Sequence, residues 1–106
     1  MSTDQQLCFR ALADPTRRQI LTLLSKQDLT IADVADRFDM TRTAVKKHLT
    51  VLDEGGLISV ETQGRARINR LNPAGIQPAI AWLTAFDAFW DERLNALKSA
   101  VEKDMQ

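Results

Sequence analysis

The chain contains few of the residues that most often carry catalytic or metal chemistry. Among its 106 residues there is one cysteine, Cys8, and one histidine, His48. A single cysteine cannot form a disulfide within the chain, which is typical of proteins in a reducing cytoplasm. His48 lacks the histidine or cysteine partners that a zinc site or a catalytic dyad requires. We therefore expect no enzyme, no cofactor and no bound metal ion.

Long apolar runs, linkers and net charge are absent as well. No stretch approaches the roughly 20 apolar residues of a membrane-spanning helix, and no N-terminal segment resembles a signal peptide. No repeat or Pro/Gly/Ser-rich segment divides the chain. We expect one cytoplasmic domain over residues 1–106, without membrane contact. The 14 Lys and Arg balance the 14 Asp and Glu, so the overall charge does not favour a nucleic-acid partner.

The basic residues are nevertheless concentrated in the middle of the chain. Residues 41–70 contain six Lys and Arg against three Asp and Glu, whereas residues 71–106 contain three against five. The local potential, rather than the net charge, steers a polyanion towards a protein. The middle segment is therefore the candidate for contact with nucleic acid.

Two helical patterns separated by a short break occupy the first half of this region. In Thr30–Phe38 the apolar residues fall on one helical face, and after Asp39-Met40 the same period resumes over Thr41–Leu52. The outward face of the second helix carries a polar and cationic set, namely Arg42, Thr43, Lys46, Lys47 and His48. A helix that is apolar on its buried side and cationic outside suits the major groove of DNA.

A β-hairpin follows the second helix. Leu57–Glu61 alternates between apolar and polar residues, Thr62–Arg65 forms a turn with a glycine, and Ala66–Leu71 alternates again. The order of helix, turn, helix and hairpin is that of the winged helix-turn-helix. We expect a mostly α fold with about five helices and a two-stranded wing, the helix-turn-helix at about 30–54 and the wing at about 57–71.

Local signals define where the remaining helices begin and end. Asp14 and Pro15 are a typical N-cap and first helical residue for a helix that begins at residue 15. Thr30 and Asp33 resemble a capping box, and Thr41 is the expected cap of the next helix. Gly55-Gly56 ends that helix, since glycine enters the left-handed conformation without steric cost.

The last helix, expected at about 78–103, has more apolar surface than one small domain covers. Its apolar residues recur at steps of three and four from Ile80 to Val101, which favours a homodimer interface. The predicted interface residues are Leu7, Leu83, Phe86, Trp90, Leu94 and Leu97. The alternative is that this helix folds back on the core of its own chain.

Two other functions remain open from the residues alone. A winged helix can serve as a protein-interaction module. A regulator can also respond to oxidants or small molecules, here through Cys8 or through the aromatic residues of the terminal helix, Trp82, Phe86, Phe89 and Trp90.

Three motifs in order resemble the ArsR family of bacterial winged helix-turn-helix regulators. They are ALADPTRRQILTLL at Ala11–Leu24, the helix-turn-helix at Thr30–Ile58 and GRARINRL at Gly64–Leu71. The resemblance implies a homodimer formed by the first and last helices, which represses transcription from a near-palindromic double-stranded DNA operator. The family's DNA contacts correspond here to Thr41, Arg42, Thr43, Lys46, Lys47 and His48, with Gln63, Arg65 and Arg67 in the wing.

The departures from the family concern its metal sites. Metal-sensing members carry cysteines in the helix before the recognition helix, where this chain has Thr30 and Ala32. Others carry histidine ligands in the last helix, which here has none. Thiolates and imidazoles bind soft and borderline cations tightly. The chain therefore resembles the metal-free branch, whose members often act as autorepressors.

Overall fold

The computed structural model describes residues 2–105 of the chain. Six α-helices, one 3₁₀ turn and three short strands follow one another within this range. Their bounds are α1 Thr3–Leu12, α2 Pro15–Leu24, β1 Leu29–Thr30, α3 Ile31–Phe38, α4 Arg42–Glu54, β2 Ile58–Gln63, β3 Ala66–Leu71, the 3₁₀ turn Pro73–Ile76, α5 Gln77–Thr84 and α6 Asp87–Asp104. The expected mostly helical winged helix-turn-helix is confirmed, with six helices rather than about five.

The predicted caps begin three of the helices. Asp14 accepts a hydrogen bond from the backbone N–H of Arg17 at 3.0 Å, and Thr41 accepts one from Ala44 at 3.1 Å. Thr30 and Asp33 form the reciprocal capping box, since each side chain bonds the backbone N–H of the other. These contacts satisfy N–H groups that have no partner within their own helix.

The two capping carboxylates, Asp14 and Asp33, make folding sensitive to acid. The N–H groups of Arg17 and Thr30 hold the pKa values of Asp14 and Asp33, respectively, below their ordinary range. The unfolded chain therefore takes up protons first as the pH falls, and stability decreases below about pH 4. We expect the urea midpoint to fall between pH 5 and pH 3. The double variant Asp14→Asn with Asp33→Asn keeps both acceptor oxygens without the titration, so its midpoint should fall less. Equal slopes in the two proteins would contradict this assignment.

The predicted two-stranded wing is confirmed as the hairpin of β2 and β3, and the strand β1 extends it to a three-stranded antiparallel sheet in the order β1-β3-β2. Leu29 and Thr30 pair with Asn69 and Ile68. The buried side chain of Asn69 donates from Nδ2 to the carbonyl oxygen of Leu29 at 3.1 Å and fastens the added strand. A strand of two residues is too short to produce an alternating pattern, which explains why the sequence did not predict it.

The hairpin turn is shorter than expected. Gln63 pairs with Ala66, so two residues, Gly64 and Arg65, make the turn instead of the four residues 62–65. Gly64 has a φ of 60°, a left-handed conformation that glycine adopts at no steric cost and that two-residue hairpins need. The turn therefore projects Arg65 at the tip of the wing.

The core lies between the first four helices and the base of the hairpin. Its fully buried side chains come from α1, α2, α3 and α4, and include Cys8, Ile20, Val34, Val45 and Leu52. The helical faces predicted from the sequence are the faces that pack here. The recognition helix is thus fixed on its inner side by apolar contacts, and its outer side is free to face a ligand.

A close backbone contact joins the end of α4 to the 3₁₀ turn. Gly56 ends the helix region with a φ of 76°, as the sequence predicted for Gly55-Gly56. Gly75 packs so tightly against it that a Cβ atom at residue 75 would lie 1.8 Å from the carbonyl oxygen of Gly56. A side chain at this position is incompatible with the observed packing.

The terminal segment is not one continuous helix over residues 78–103. It divides into α5 and α6 at Ala85 and Phe86, where Phe86 leaves the helical conformation with φ −105° and ψ 3°. The ring of Phe86 packs on Trp82 at a centroid distance of 4.9 Å, and Trp82 packs on Phe9 of α1 at 5.6 Å. The helix is thus interrupted just after the segment that the Trp82–Phe9 contact holds against α1, and α6 extends beyond it.

α6 has no buried residue. The exposed fractions of Leu83, Trp90, Leu94 and Leu97 range from 54% to 62%, and that of Phe86 is 38%. The alternative that the terminal helix folds back on its own core is therefore wrong for α6, whereas α5 does pack there through Ala79 and Trp82. None of the helices at residues 2–105 is long and apolar enough to cross a membrane.

Candidate nucleic-acid interface

Helix α4 carries a continuous exposed cationic face. Val45, Leu49 and Leu52 are buried against the core, and the opposite side exposes Arg42, Thr43, Lys46 and Lys47. Within residues 2–105 these Arg and Lys side chains form no ion pair. Their charges are consequently available to a polyanion.

The predicted contact residue Thr41 also has a structural role. Its Oγ1 accepts the hydrogen bond from Ala44 N–H that caps α4. The side chain remains exposed, and its O–H group can still donate, because a hydroxyl both accepts and donates. Thr41 thus combines helix capping with a donor at the start of the cationic face.

The arginines of the wing differ in their partners. Arg65 and Arg67 are exposed, and no carboxylate in the described part of the chain pairs with them. Arg70, in contrast, lies 2.9 Å from Asp28 and 2.7 Å from Glu61. The sequence count included Arg70 in the basic segment, but these two carboxylates neutralise its charge. The cationic part of the wing is therefore its tip.

The fold brings the wing tip against the start of the recognition helix. Arg42, Arg65 and Arg67 line one open cleft of about 350 Å³, together with Thr30, Ile31 and Ala32 at the start of α3. A smaller groove of about 50 Å³ is lined by Lys46 and Arg67, together with one acidic residue, Asp53. The two predicted DNA-contacting elements therefore form one continuous surface, which we call the basic cleft (Arg42, Lys46, Arg65 and Arg67).

Strand alternation separates Gln63 from this surface. Successive side chains in a strand point to opposite faces, and Gln63 lies on the same face as Glu61, which pairs with Arg70. Arg67 lies on the other face, towards α4. Of the three predicted wing contacts, Arg65 and Arg67 belong to the basic cleft, and Gln63 faces away from the recognition helix.

His48 does not lie on the open face of α4, where the helical pattern had placed it. Its side chain is only 22% exposed, and its Nδ1 lies 3.4 Å from Nη1 of Arg17 and 3.9 Å from Oδ2 of Asp14. One residue beyond Lys47 the helix turns by about 100°, which directs His48 to the flank packed against the start of α2. The role of Arg17 could not be predicted, because no local pattern joins it to a residue 31 positions away.

The residues considered for sensing lie away from the basic cleft. Cys8 is fully buried, and this burial raises the pKa of its thiol. The aromatic rings contact one another in two groups: Trp82 packs on Phe9 and on Phe86, and Phe89 packs on Trp90. No cluster of three or more metal-ligating side chains occurs among residues 2–105.

Comparisons with known proteins agree with this architecture. A helix-turn-helix domain family matches residues 12–61. The transcriptional repressor SdpR of Bacillus subtilis is 36% identical over 78 residues, which cover 74% of this chain and 87% of SdpR.

Two solved structures share the fold. An ArsR-like transcriptional regulator from Rhodococcus sp. RHA1 is 34% identical, with a TM-score of 0.72 over 92% of both chains. A homodimeric winged helix-turn-helix DNA-binding domain from Mycobacterium bovis is 25% identical, with a TM-score of 0.66 over 77% of this chain and 78% of its own. The cationic recognition helix, the wing and these relatives together show that the chain belongs to the ArsR family of winged helix-turn-helix transcriptional regulators, which bind DNA and are not enzymes.

Proposed function

We propose that the protein is a homodimeric transcriptional repressor that binds a near-palindromic operator in the cytoplasm. The observation that carries the proposal is the basic cleft, in which Arg42 and Lys46 of α4 meet Arg65 and Arg67 of the wing. The relative SdpR is a transcriptional repressor, which supports the repressor role, and one of the solved relatives is a homodimer, which supports the homodimeric assembly.

The two kinds of contact have different tasks in this proposal. Lys47 on α4 and Arg65 at the wing tip neutralise phosphates, which supplies affinity that decreases steeply with salt. Arg42, Thr43 and Lys46 lie near the start of the recognition helix, whose first residues contact base edges in this class of motif. They supply the discrimination between sequences.

The dimer positions two such surfaces on one DNA duplex. The exposed stripe of α5 and α6 (Leu83, Phe86, Trp90, Leu94 and Leu97) is the proposed interface, and we propose that the half-buried Leu7 of α1 joins it. Residues Trp90, Leu94, Leu97 and Val101 follow the 4-3-4 spacing of helices that pack against each other. Two recognition helices about one helical turn of DNA apart, roughly 34 Å, then contact successive major grooves.

We propose that metal is not the signal of this regulator. Thr30 and Ala32 occupy the positions of the family's cysteine ligands, and hydroxyl and methyl groups do not bind soft cations tightly. The redox alternative is also disfavoured. The thiol of Cys8 is buried and its pKa is raised, whereas oxidation requires an accessible thiolate.

A panel of operators tests this division of tasks. We expect Lys47→Ala or Arg65→Ala to weaken binding to all sequences by a similar factor and to lower the salt slope of log K by about 1. Arg42→Ala should instead change the ranking of operators that differ at single base pairs. Fluorescence anisotropy from 50 to 300 mM salt measures both properties.

Lys103→Ala is the matched control, because it removes the same charge at the far end of α6. Its affinity and salt slope should equal those of the wild type. Uniform loss from Arg42→Ala, with an unchanged ranking, would contradict the assignment of Arg42. Wild-type protein without salt-dependent DNA binding would instead favour the protein-interaction module.

A further inference from the structure

Arg17, near the start of α2, contacts both α1 and α4. Nε of Arg17 donates to the carbonyl oxygen of Ala11 and Nη2 donates to that of Arg10, both at 2.9 Å. Both carbonyls belong to the last turn of α1, where the backbone leaves acceptors unsatisfied, and that of Arg10 also accepts the N–H of Ala13 at 3.3 Å. The third nitrogen, Nη1, lies 3.4 Å from Nδ1 of His48 on the recognition helix. One half-buried side chain thus joins the end of α1 to α4.

This contact favours one of the two tautomers of the neutral His48 imidazole. A guanidinium group donates and never accepts, so an Nδ1–H tautomer would place two donors against each other at 3.4 Å. In the Nε2–H tautomer, Nδ1 accepts from Nη1 of Arg17. Asp14 favours the opposite arrangement, since its carboxylate accepts only, but it lies 3.9 Å from Nδ1 and already accepts the N–H of Arg17.

The other nitrogen of the ring is reached by solvent. Among the partly or fully buried residues of 2–105, the only enclosed side-chain nitrogen or oxygen without a well-aligned hydrogen bond is Nε of Arg70, which lies 2.9 Å from Oδ2 of Asp28 in an ion pair. Nε2 of His48 has no hydrogen-bond partner within these residues either, so it must reach the surface. It lies on the flank of α4, next to the exposed Lys47.

We infer that Arg17 is a positioning residue for DNA binding, which holds the His48 imidazole so that its Nε2–H donates to a backbone phosphate of the operator. The inference rests on the proposed function and adds to it a residue outside the recognition helix and the wing. It also connects α1, which lies beside the proposed dimer interface, with the flank of α4 next to its DNA-contacting face. A phosphate is the matching partner, because its anionic oxygens can accept hydrogen bonds from the neutral N–H of His48 and from the neighbouring Lys47.

The neighbouring arginine provides a matched control. Nη1 of Arg18 donates to the carbonyl oxygen of Leu12 at 2.7 Å, so it also ties α2 to the end of α1. Arg18 makes no contact with His48. A merely structural role for Arg17 predicts equal effects of Arg17→Met and Arg18→Met, whereas positioning through His48 predicts that only the first variant affects the imidazole and the DNA.

The first measurement uses the free protein. Nitrogen-15 NMR of the imidazole at pH 7.5 should find the Nε2–H tautomer in the wild type and in Arg18→Met. In Arg17→Met the Nδ1–H form should increase, because Asp14 becomes the remaining partner of Nδ1. An Nδ1–H tautomer in the wild type, or a tautomer unaffected by Arg17→Met, would overturn the inference.

The second measurement is operator affinity. We expect Arg17→Met to raise Kd about tenfold, the loss of one charge-assisted hydrogen bond, and Arg18→Met to change it less than twofold. In a His48→Phe background, Arg17→Met should change Kd less than twofold. Equal losses in the two arginine variants, or an undiminished effect in the His48→Phe background, would overturn the inference.

Two further comparisons keep the test decisive. If Arg17→Met fails to fold, Arg17→Lys takes its place, because it keeps the charge but cannot reach three acceptors at once. A wild-type protein that binds no DNA would refute the proposed function, and the tautomer measurement would still decide whether Arg17 controls His48.

Discussion

Replacing Trp90 with aspartate should convert the protein to monomers and abolish operator binding. Trp90 is 56% exposed in the chain, on a helix without a single buried residue. In the proposed dimer the same side chain is buried against the second copy. A carboxylate in an apolar interface costs several kcal/mol of association free energy, which raises the dimer dissociation constant at least about a hundredfold.

Sedimentation velocity at micromolar concentration measures the assembly, and anisotropy measures operator binding. Ser99→Asp is the matched control, since it places the same charge on the same helix, about half a turn from the apolar stripe. We expect Ser99→Asp to remain dimeric. Leu97→Asp, at another position of the stripe, should reproduce the effect of Trp90→Asp. A wild-type protein that sediments as a monomer, or a dimeric Trp90→Asp variant, would exclude the proposed interface.

Gly75→Ala should cause the largest loss of folding stability among single small substitutions. The added Cβ would lie 1.8 Å from the carbonyl oxygen and 2.6 Å from the carbonyl carbon of Gly56. Both neighbours are backbone atoms, so no side-chain rotation relieves the clash, and the 3₁₀ turn must move away from the end of α4. We expect a decrease of about 3 kcal/mol in the free energy of unfolding.

Urea unfolding followed by circular dichroism measures this loss. Gly64→Ala is the appropriate comparison, because a Cβ there meets no atom within 4 Å but requires a left-handed φ of 60°. Its cost should be about 1 kcal/mol, the ordinary penalty for alanine in that conformation. A Gly75→Ala variant as stable as Gly64→Ala would mean that the turn can separate from Gly56 at little cost.

Features formed by neighbouring residues could be predicted from the sequence. The caps at Asp14, Thr30 and Thr41 each bond a backbone N–H three residues ahead, so the residue types and their spacing were sufficient. The same holds for the apolar faces of α3 and α4, which follow the helical period. The exposed cations of α4 were therefore also predictable.

Features that join distant residues could not be predicted in the same way. Asn69 holds β1 through Leu29, 40 positions away, and Arg17 reaches His48 over 31 positions. The neutralisation of Arg70 likewise depends on Asp28, which lies far from it in the chain. No helical or strand periodicity of the sequence indicates that these pairs are in contact. The interruption at Phe86 likewise lies next to a contact between distant residues, that of Trp82 with Phe9 of α1.

In the proposed homodimer, the exposure of α6 links operator occupancy to the amount of protein in the cell. No residue of α6 belongs to the buried core, so a folded monomer can exist without a partner. The step from this monomer to the DNA-binding dimer depends on the protein concentration. Below the dissociation constant of the dimer, the dimer concentration rises with the square of the monomer concentration. Halving the protein then reduces the operator-binding species about fourfold. A repressor of its own gene would thereby correct small changes in its abundance more sharply than a monomeric one.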